Sequence, residues 1–380
     1  MTKYRFDQIA INSTEKKKPV ESDRFTYLGL EHLDSGSLKV TRFGSETAPI
    51  GEKLVMHKGD VLFGKRRAYQ KKVAIAPFDG IFSAHGMVLR PKEEVVDKAF
   101  FPIFISSDYF LDAAIKISVG SLSPTINWRD LKELEFELPD LATQRKLAEL
   151  LWSINNTLEK YKQLISATDD LVKSQFIEMF GDQTENPFGL PVMALGETCS
   201  FYSGTGFPNK YQGNTSGTYP FFKVGDISRN VQDGNVHLAD AENYVEPDVV
   251  KVIKGTIIPA GTVVFAKIGE ALRLNRRAVT TRECLVDNNV MGIKPDSSML
   301  TEEYFFQFMV GLDMNEYSAA TALPSVRKST LEKVDILVPD IAAQNRFSEL
   351  IRQSDKSKFT FPMVLRYTHY GYSKLSNYVA

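Results

Sequence analysis

The chain reads LPDLATQRKLAEL at residues 138–150 and VPDIAAQNRFSEL at residues 338–350, so two related segments start 200 residues apart. Upstream of them, KGDVLFGK (58–65) resembles AGTVVFAK (260–267), and MVLRP (87–91) resembles MGIKP (291–295). These blocks keep their order and nearly the same offset, which chance similarity between strand-rich segments would not produce. A repeat of this length exceeds the period of about 20–50 residues found in solenoids. The sequence therefore predicts a domain followed by a helix, present twice.

Each copy of the domain contains short apolar runs separated by turn residues, a pattern that predicts buried strands. Each copy then continues into an apolar segment that is predicted to be helical. Its aromatic side chains are expected to pack in a core, the alternative being that they stack on bases. These residues are Phe100, Phe101, Phe104, Tyr109 and Phe110 in the first copy, and Tyr304, Phe305, Phe306 and Phe308 in the second. With 380 residues, 43% of them hydrophobic, the chain is long enough for two separate cores. We therefore predict an α+β fold built from two repeated mixed α/β domains.

Residues 141–180 show a different pattern, a heptad seam that is typical of a coiled-coil helix. Asp140 is expected to cap the start of this helix, and Gly181 is expected to end it. Forty helical residues extend about 60 Å. The expected partner is the second copy of the helix, over residues 341–357, and the alternative is an ordinary helical hairpin inside a core. The residues predicted to pair the helices are Leu147, Leu151, Ile154, Leu158, Tyr161, Ile165, Val172, Phe347 and Ile351.

Composition excludes several classes of protein. The formal net charge is −1, so any nucleic-acid binding must come from local basic patches. The two cysteines, Cys199 and Cys284, lie far apart and have no zinc-ligand spacing, which argues against a disulfide scaffold or a zinc finger. The segment MTKYRFDQIAINSTEKKK at the start lacks the apolar core of a signal peptide, and no apolar run reaches the roughly 20 residues that span a bilayer. We expect a cytoplasmic protein without a membrane role.

Two basic clusters occupy equivalent places in the repeat, each directly after a predicted strand. Arginine can bond to guanine in a fork, and lysine can neutralise phosphate, so such clusters on loops are typical of DNA contacts. The alternative is a solvated charged surface. The predicted DNA-binding residues are Lys65, Arg66, Arg67, Lys71 and Lys72 in the first copy, and Lys267, Arg273, Arg276 and Arg277 in the second.

Catalytic motifs are incomplete. Asn186-Pro187-Phe188 lacks the second proline of an amino-methyltransferase turn, and the glycines at 204 and 206 do not form a full cofactor-binding loop. Glu283, Asp287 and Lys294 have the residue types of a metal-dependent nuclease site, but carboxylates at this density are common on surfaces. We predict no catalytic residues and no metal site.

Two β-rich domains, each followed by a helix that starts Pro-Asp-x-x-x-Gln, resemble the specificity subunits of type I restriction-modification systems. FIEMFGDQTENPFGLPVMALGE (176–197) and FFKVGDI (221–227) are also similar to that family. The resemblance implies a target-recognition domain over residues 1–140, a conserved spacer helix over 141–181 and a second target-recognition domain over 182–340. A short second conserved helix over 341–357 and a divergent tail over 358–380 would follow. In this family the long helices form a coiled coil that separates the two domains.

The resemblance further implies that each domain reads one half of a split sequence in double-stranded DNA, and that the helices set the gap between the halves. Methyltransferase subunits and restriction motor-nuclease subunits would be the protein partners. S-adenosylmethionine, ATP and magnesium would belong to those partners, and this chain would bind no cofactor. Two alternatives stay open: a silent or recombining copy that acts only as a scaffold, and a self-contained nuclease or methyltransferase.

Overall fold

A computed structural model describes residues 1–182, 185–318 and 324–358, apart from the side chains of residues 162 and 355–358. The predicted divergent tail, 358–380, lies outside the described residues except for its first. The described residues divide into two compact units, 1–163 and 164–358, and the division falls inside one long helix. Each unit combines helices with small sheets, which confirms the α+β prediction. Across the part of the chain that the structure describes, no helix is both long and apolar enough to cross a membrane.

The first unit is built around two four-stranded sheets, with strand orders β2-β9-β6-β7 and β3-β5-β8-β4, and a pair formed by β1 and β10. Its strands are β1 (Thr2–Arg5), β2 (Ala10–Ser13), β3 (Lys16–Lys17), β4 (Tyr27–Leu28), β5 (Lys53–Met56), β6 (Val61–Gly64), β7 (Val73–Ile75), β8 (Gly80–Phe82), β9 (Gly86–Pro91) and β10 (Glu135–Leu138). Its helices are α1 (Phe6–Ile9), α2 (Phe101–Ser106), α3 (Asp108–Lys116) and α4 (Trp128–Leu131). All four residues of β6 are buried, as the apolar run predicts for a central strand.

The long helix α5 (Leu141–Phe180) has the bounds that the sequence predicts. The backbone N–H of Thr143 donates to Asp140 Oδ1 at 2.9 Å, so Asp140 is the N-cap. Gly181 has a φ of 81°, and its N–H donates to the carbonyl of Ile177 at 2.8 Å, which ends the helix as predicted.

The second unit repeats this architecture. Its strands are β11 (Val192–Ala194), β12 (Cys199–Ser203), β13 (Tyr219–Phe222), β14 (His237–Leu238), β15 (Tyr244–Val245), β16 (Val263–Ala266), β17 (Ala278–Thr280), β18 (Leu285–Val286), β19 (Val290–Pro295) and β20 (Asp335–Leu337). Its helices are α6 (Leu195–Thr198), α7 (Val224–Gln232), α8 (Pro247–Val252), α9 (Glu270–Arg273), α10 (Glu302–Gly311), α11 (Lys328–Leu331) and α12 (Ile341–Lys358).

Strand topology supports the duplication that the sequence predicts. The order β2-β9-β6-β7 in the first unit matches β12-β19-β16-β17 in the second, and the β1–β10 pair matches β11–β20. The register also matches, because Val61 lies opposite Leu89 and Val263 lies opposite Ile293. The main sheet of the second unit continues beyond β17 with a further strand, β14, which runs parallel to β17. The two units therefore share the topology of the main sheet and of the strand pair, whereas the smaller sheets differ, with the order β3-β5-β8-β4 in the first unit and β15-β13-β18 in the second.

The core of each unit includes part of a long helix. Leu147 and Leu151, on the first turns of α5, pack on the aromatic core of the first unit. These two residues of the predicted helix-pairing set thus pack in the core of their own domain. In the second unit, the ring of Phe347 on α12 lies 5.4 Å from Phe176 and 5.6 Å from Phe180. Val172 and Ile351 belong to the same core, so the last turns of α5 pack against the first turns of α12.

The middle of α5 carries the remaining seam residues. Ile154, Leu158, Tyr161 and Ile165 are half-buried, in contrast to the fully buried aromatic residues near the C-terminal end of the helix. The aromatic residues predicted to form the cores do so in both units, because Phe100, Phe101, Phe104 and Phe110 are buried in the first and Tyr304, Phe305 and Phe308 are buried in the second.

Candidate nucleic-acid interface

The two basic clusters lie on loops that are anchored in the same way in both domains. In the first domain, the N–H of Ile126 donates to the Lys65 carbonyl at 2.9 Å, and the N–H of Arg67 donates to the Pro124 carbonyl at 2.8 Å. In the second domain, Val326 donates to Lys267 at 3.0 Å and Gly269 donates to Pro324 at 2.8 Å. The loop after the central strand is therefore fixed on a rigid framework at the same place in each domain, as a surface for recognition requires.

A second loop lies beside the basic loop in the first domain. It is the turn before β9, where the Arg66 N–H donates to the His85 carbonyl at 3.2 Å. The guanidinium Nη1 of Arg66 lies 3.4 Å from Nε2 of His85, and both side chains are exposed. Burial lowers the pKa of His85, and the nearby Arg66 and Lys65 lower it further. At neutral pH this histidine is therefore mostly uncharged.

The second domain has the equivalent turn before β19. The N–H of Lys267 donates to the Asn289 carbonyl at 2.8 Å, and the side chains of Asn288 and Asn289 are exposed. Sequence reasoning missed His85, Asn288 and Asn289, because single polar residues in a turn carry no pattern. Only the strand register places them there, since Gly64 pairs with Gly86 and Ala266 with Val290.

The predicted residues of the first cluster separate into two groups. Arg66 and Arg67 are exposed and Lys65 is half-buried; burial lowers the lysine's pKa. Lys71 instead forms ion pairs with Asp108 and Asp112 on α3, each at 2.7 Å. Lys72 donates to the carbonyl of Leu30 at 2.7 Å. Only the first three are therefore placed as surface cations, whereas the two later lysines make contacts within the domain.

The second cluster also contains residues of different kinds. Lys267 and Arg276 are half-buried, and Arg273 is exposed and paired with Glu270 at 2.7 Å. Arg276 reaches the carbonyl of Ser228 at 3.4 Å. A solvent-exposed ion pair of the Arg273 type contributes little to stability, so it can exchange its partner for a phosphate.

Arg277 does not belong to this surface, contrary to the sequence-based prediction. Its side chain is only 4% exposed, and its Nη2 atom donates to Asn275 Oδ1 at 2.7 Å and to the Leu312 carbonyl at 3.0 Å. Burial lowers its pKa to about 10. The strand register explains the burial. Ala278 pairs with Val264 as Ala74 pairs with Leu62 in the first domain. Arg277, the residue before Ala278, is therefore equivalent to the buried Val73. The arginine thus takes the place of a core valine.

Two of the three residues that have the types of a nuclease site, Asp287 and Lys294, make other contacts. Asp287 Oδ1 accepts the N–H of Asn289 at 2.6 Å, and Lys294 donates to Glu302 at 2.7 Å. Among the residues that the structure describes, no group of three or more His, Cys, Asp or Glu side chains is arranged to hold a metal ion.

Comparison with known proteins agrees with this arrangement. The family described as the type I restriction modification DNA specificity domain matches residues 14–167 and again 189–361, once for each repeat. The chain is 25% identical over 284 residues to the type I restriction enzyme MjaIX specificity subunit of Methanocaldococcus jannaschii, covering 69% of this chain and 63% of the relative. It is 28% identical over 195 residues to the EcoDI specificity subunit of Escherichia coli, covering 48% of this chain and 43% of the relative.

These alignments span less than two thirds of the length of either curated relative. The fold is also similar to a crystal structure of the type I restriction-modification system S subunit from M. genitalium. The TM-score is 0.55 and the identity 15%, and the match covers 98% of this chain and 95% of the other. At this level of identity, the similarity shows that the two proteins share a fold.

Proposed function

This chain belongs to the type I restriction-modification DNA specificity family, and from that premise we propose that it reads a bipartite sequence in double-stranded DNA. The observation that carries the proposal is the matched pair of loops in each domain. Residues 65–67 lie beside the turn at 83–85, and residues 267–269 lie beside the turn at 287–289. The first pair combines three cations with the exposed His85, and the second combines one cation, Lys267, with the exposed Asn288 and Asn289. Two such surfaces in one chain suit a split target with a different sequence in each half.

The side chains at these loops suit different parts of DNA. Arginine and lysine neutralise phosphates, and arginine also forks onto guanine O6 and N7 in the major groove. Asparagine forms the corresponding pair of bonds with adenine. We therefore assign phosphate or guanine contacts to Arg66 and Arg67, and a base contact to Asn288 or Asn289. Because the turns differ between the domains, the two half-sites would differ in sequence.

We further propose that the chain has no catalytic activity of its own and directs methyltransferase subunits and restriction motor-nuclease subunits to the target. S-adenosylmethionine, ATP and magnesium would be bound by those partners. The half-buried apolar residues in the middle of α5 are consistent with a helix that forms part of an assembly. DNA as the ligand implies a cytoplasmic location.

Methylome sequencing of cells with and without this chain tests the proposal. The expected result is a split methylated motif that disappears when the chain is deleted and returns when it is restored. A restored chain in which Lys65, Arg66 and Arg67 are all changed to Gln should fail to return the motif, whereas Lys71→Gln should succeed. An unchanged methylome would contradict the proposal.

The two alternatives give different results. A scaffold copy would co-purify with a methyltransferase subunit and leave the methylome unchanged. A self-contained enzyme would methylate or cut DNA as the purified chain alone, which a turnover assay with each cofactor measures.

A further inference from the structure

Gln144 and Gln344 occupy the fourth position of α5 and α12, and both side chains are completely buried at 0% exposure. Gln144 Oε1 accepts the N–H of Asp97 at 2.8 Å, and its Nε2 donates to the carbonyls of Val95 at 3.1 Å and Pro139 at 2.8 Å. Gln344 Oε1 accepts the N–H of Thr301, and its Nε2 donates to Met299 and Pro339, all at 2.8 Å. One amide thus makes the same three bonds in both domains.

The bonds join each long helix to the segment that starts the next helix of the domain core. Asp97 accepts the N–H groups of Ala99 and Phe100 at 2.9 and 3.2 Å, directly before α2. Thr301 caps α10 by accepting the N–H of Tyr304 at 3.3 Å. Each glutamine therefore connects the first turn of its long helix to a helix start buried in the domain.

Other contacts at this junction differ between the domains. In the first, Trp152 Nε1 donates to the Ala99 carbonyl at 2.8 Å. In the second, Arg352 stands at the equivalent position, 200 residues later, and pairs with Glu303 at 3.2 Å. Since the surrounding bonds changed while the three amide bonds did not, the amide is the shared element of the junction. Only a primary amide supplies two donors and one acceptor in this geometry.

We propose that Gln144 and Gln344 are positioning residues that fix the angle between each DNA-reading domain and its helix, and thereby set the number of base pairs between the half-sites. This inference rests on the proposed function. A helix of 40 residues is about 60 Å long, so a tilt of about 5° at its first turn moves its far end by about 5 Å. That displacement exceeds the rise of about 3.4 Å between neighbouring base pairs. If the angle at the junction varied, the preference of the protein for one spacer length would therefore decrease.

The test measures the affinity of the full chain, in complex with its methyltransferase partner, for targets whose spacer is changed one base pair at a time. Wild-type protein should prefer one spacer by about 10-fold over its neighbours, the usual cost of one misplaced contact. Gln144→Met keeps the length of the side chain but removes all three bonds, and should reduce that preference to about 3-fold or less. Gln344→Met tests the other junction in the same way.

Arg145→Gln is the matched control, because it removes the exposed ion pair to the same Asp97 and leaves the amide bonds intact. It should keep the wild-type spacer preference. Thermal unfolding of each variant shows whether the domains stay folded.

If folded Gln144→Met and Gln344→Met keep the sharp preference, the inference is wrong while the proposed function stands. If neither variant folds, the glutamines serve folding alone and the inference is equally overturned. If wild-type complex shows no affinity for any split target, the proposed function itself fails.

Discussion

Changing Lys65, Arg66 and Arg67 together to Gln should reduce the salt dependence of DNA binding. These three cations lie on one anchored loop of the first domain, and no ion pair involves their side chains among the residues that the structure describes. Their charges are therefore available to phosphates. Lys71, four residues after Arg67, differs because Asp108 and Asp112 already neutralise it at 2.7 Å.

The size of the effect follows from counterion release. Each phosphate that a protein cation neutralises contributes about 0.9 to the slope of log K against log salt concentration, so three contacts contribute about 2.7. Between about 50 and 200 mM salt, that slope corresponds to a loss of about 40-fold in affinity. Over this range of salt concentration, the affinity of the triple variant should therefore fall about 40-fold less than that of the wild-type protein. A cation that bonds to a base instead of a phosphate would contribute less, so single variants distinguish the two kinds of contact.

The assay is fluorescence anisotropy of labelled target DNA with the full chain and the proposed methyltransferase partner, across a salt series. Arg67→Gln should lower the slope by about 0.9, and the control Lys71→Gln, which removes the same charge from the same loop region, should not change it. Equal slopes for wild-type, triple variant and control would refute the assignment of this loop to DNA.

Three further results are expected. Arg277→Met should leave DNA affinity unchanged and the second domain as stable as wild-type or up to about 2 kcal/mol more stable in chemical unfolding, because the buried Arg277 has no ion-pair partner among the described residues and burying an unpaired charge is costly. The pKa of Arg277 is lowered to about 10, so that cost is present in full below that pH and is relieved only above it. A large loss of affinity would restore the arginine as a DNA contact. The pKa of His85 is lowered in the free protein, and a nearby phosphate would raise it on binding. DNA affinity should therefore rise as the pH falls into the range in which His85 takes up a proton, and His85→Asn should flatten that pH profile in the same anisotropy assay. Phe347→Ala should cost about 3–5 kcal/mol in the free energy of unfolding of the second unit, because its ring is fully buried against Phe176 and Phe180; a loss below about 1 kcal/mol would show that this contact does not hold α12 in place.

The parts of the fold that depend on local pattern were predictable from the sequence. The bounds of α5 follow from a capping aspartate, a heptad pattern with two polar interruptions late in its run and a terminal glycine, and the structure agrees with them. The duplication follows from ordered blocks at a nearly constant offset, and the matching strand orders of the main sheets agree with it. Such features are encoded within a few residues or by repetition, so no knowledge of distant contacts is needed.

The composition of the candidate site depends on distant contacts, and here the sequence was insufficient. Lys71 and Arg277 have the residue type of DNA contacts, but α3 neutralises one and the strand register buries the other. His85 and Asn289 enter the site only because the turns before β9 and β19 lie beside the basic loops. Similarly, the heptad pattern marks Leu151 as apolar on one face but does not say whether a helix or a domain core covers it.

The claim that each domain reads its own half of one DNA target is tested most directly by hydroxyl-radical footprinting of the full chain with the proposed methyltransferase partner. Two sets of substitutions are compared with wild-type: Lys65, Arg66 and Arg67 to Gln, and Lys267, Arg273 and Arg276 to Gln. We predict two protected blocks for wild-type, with the first set losing protection in one block and the second set losing it in the other. A single continuous footprint, or loss of the same block in both sets, would contradict the claim.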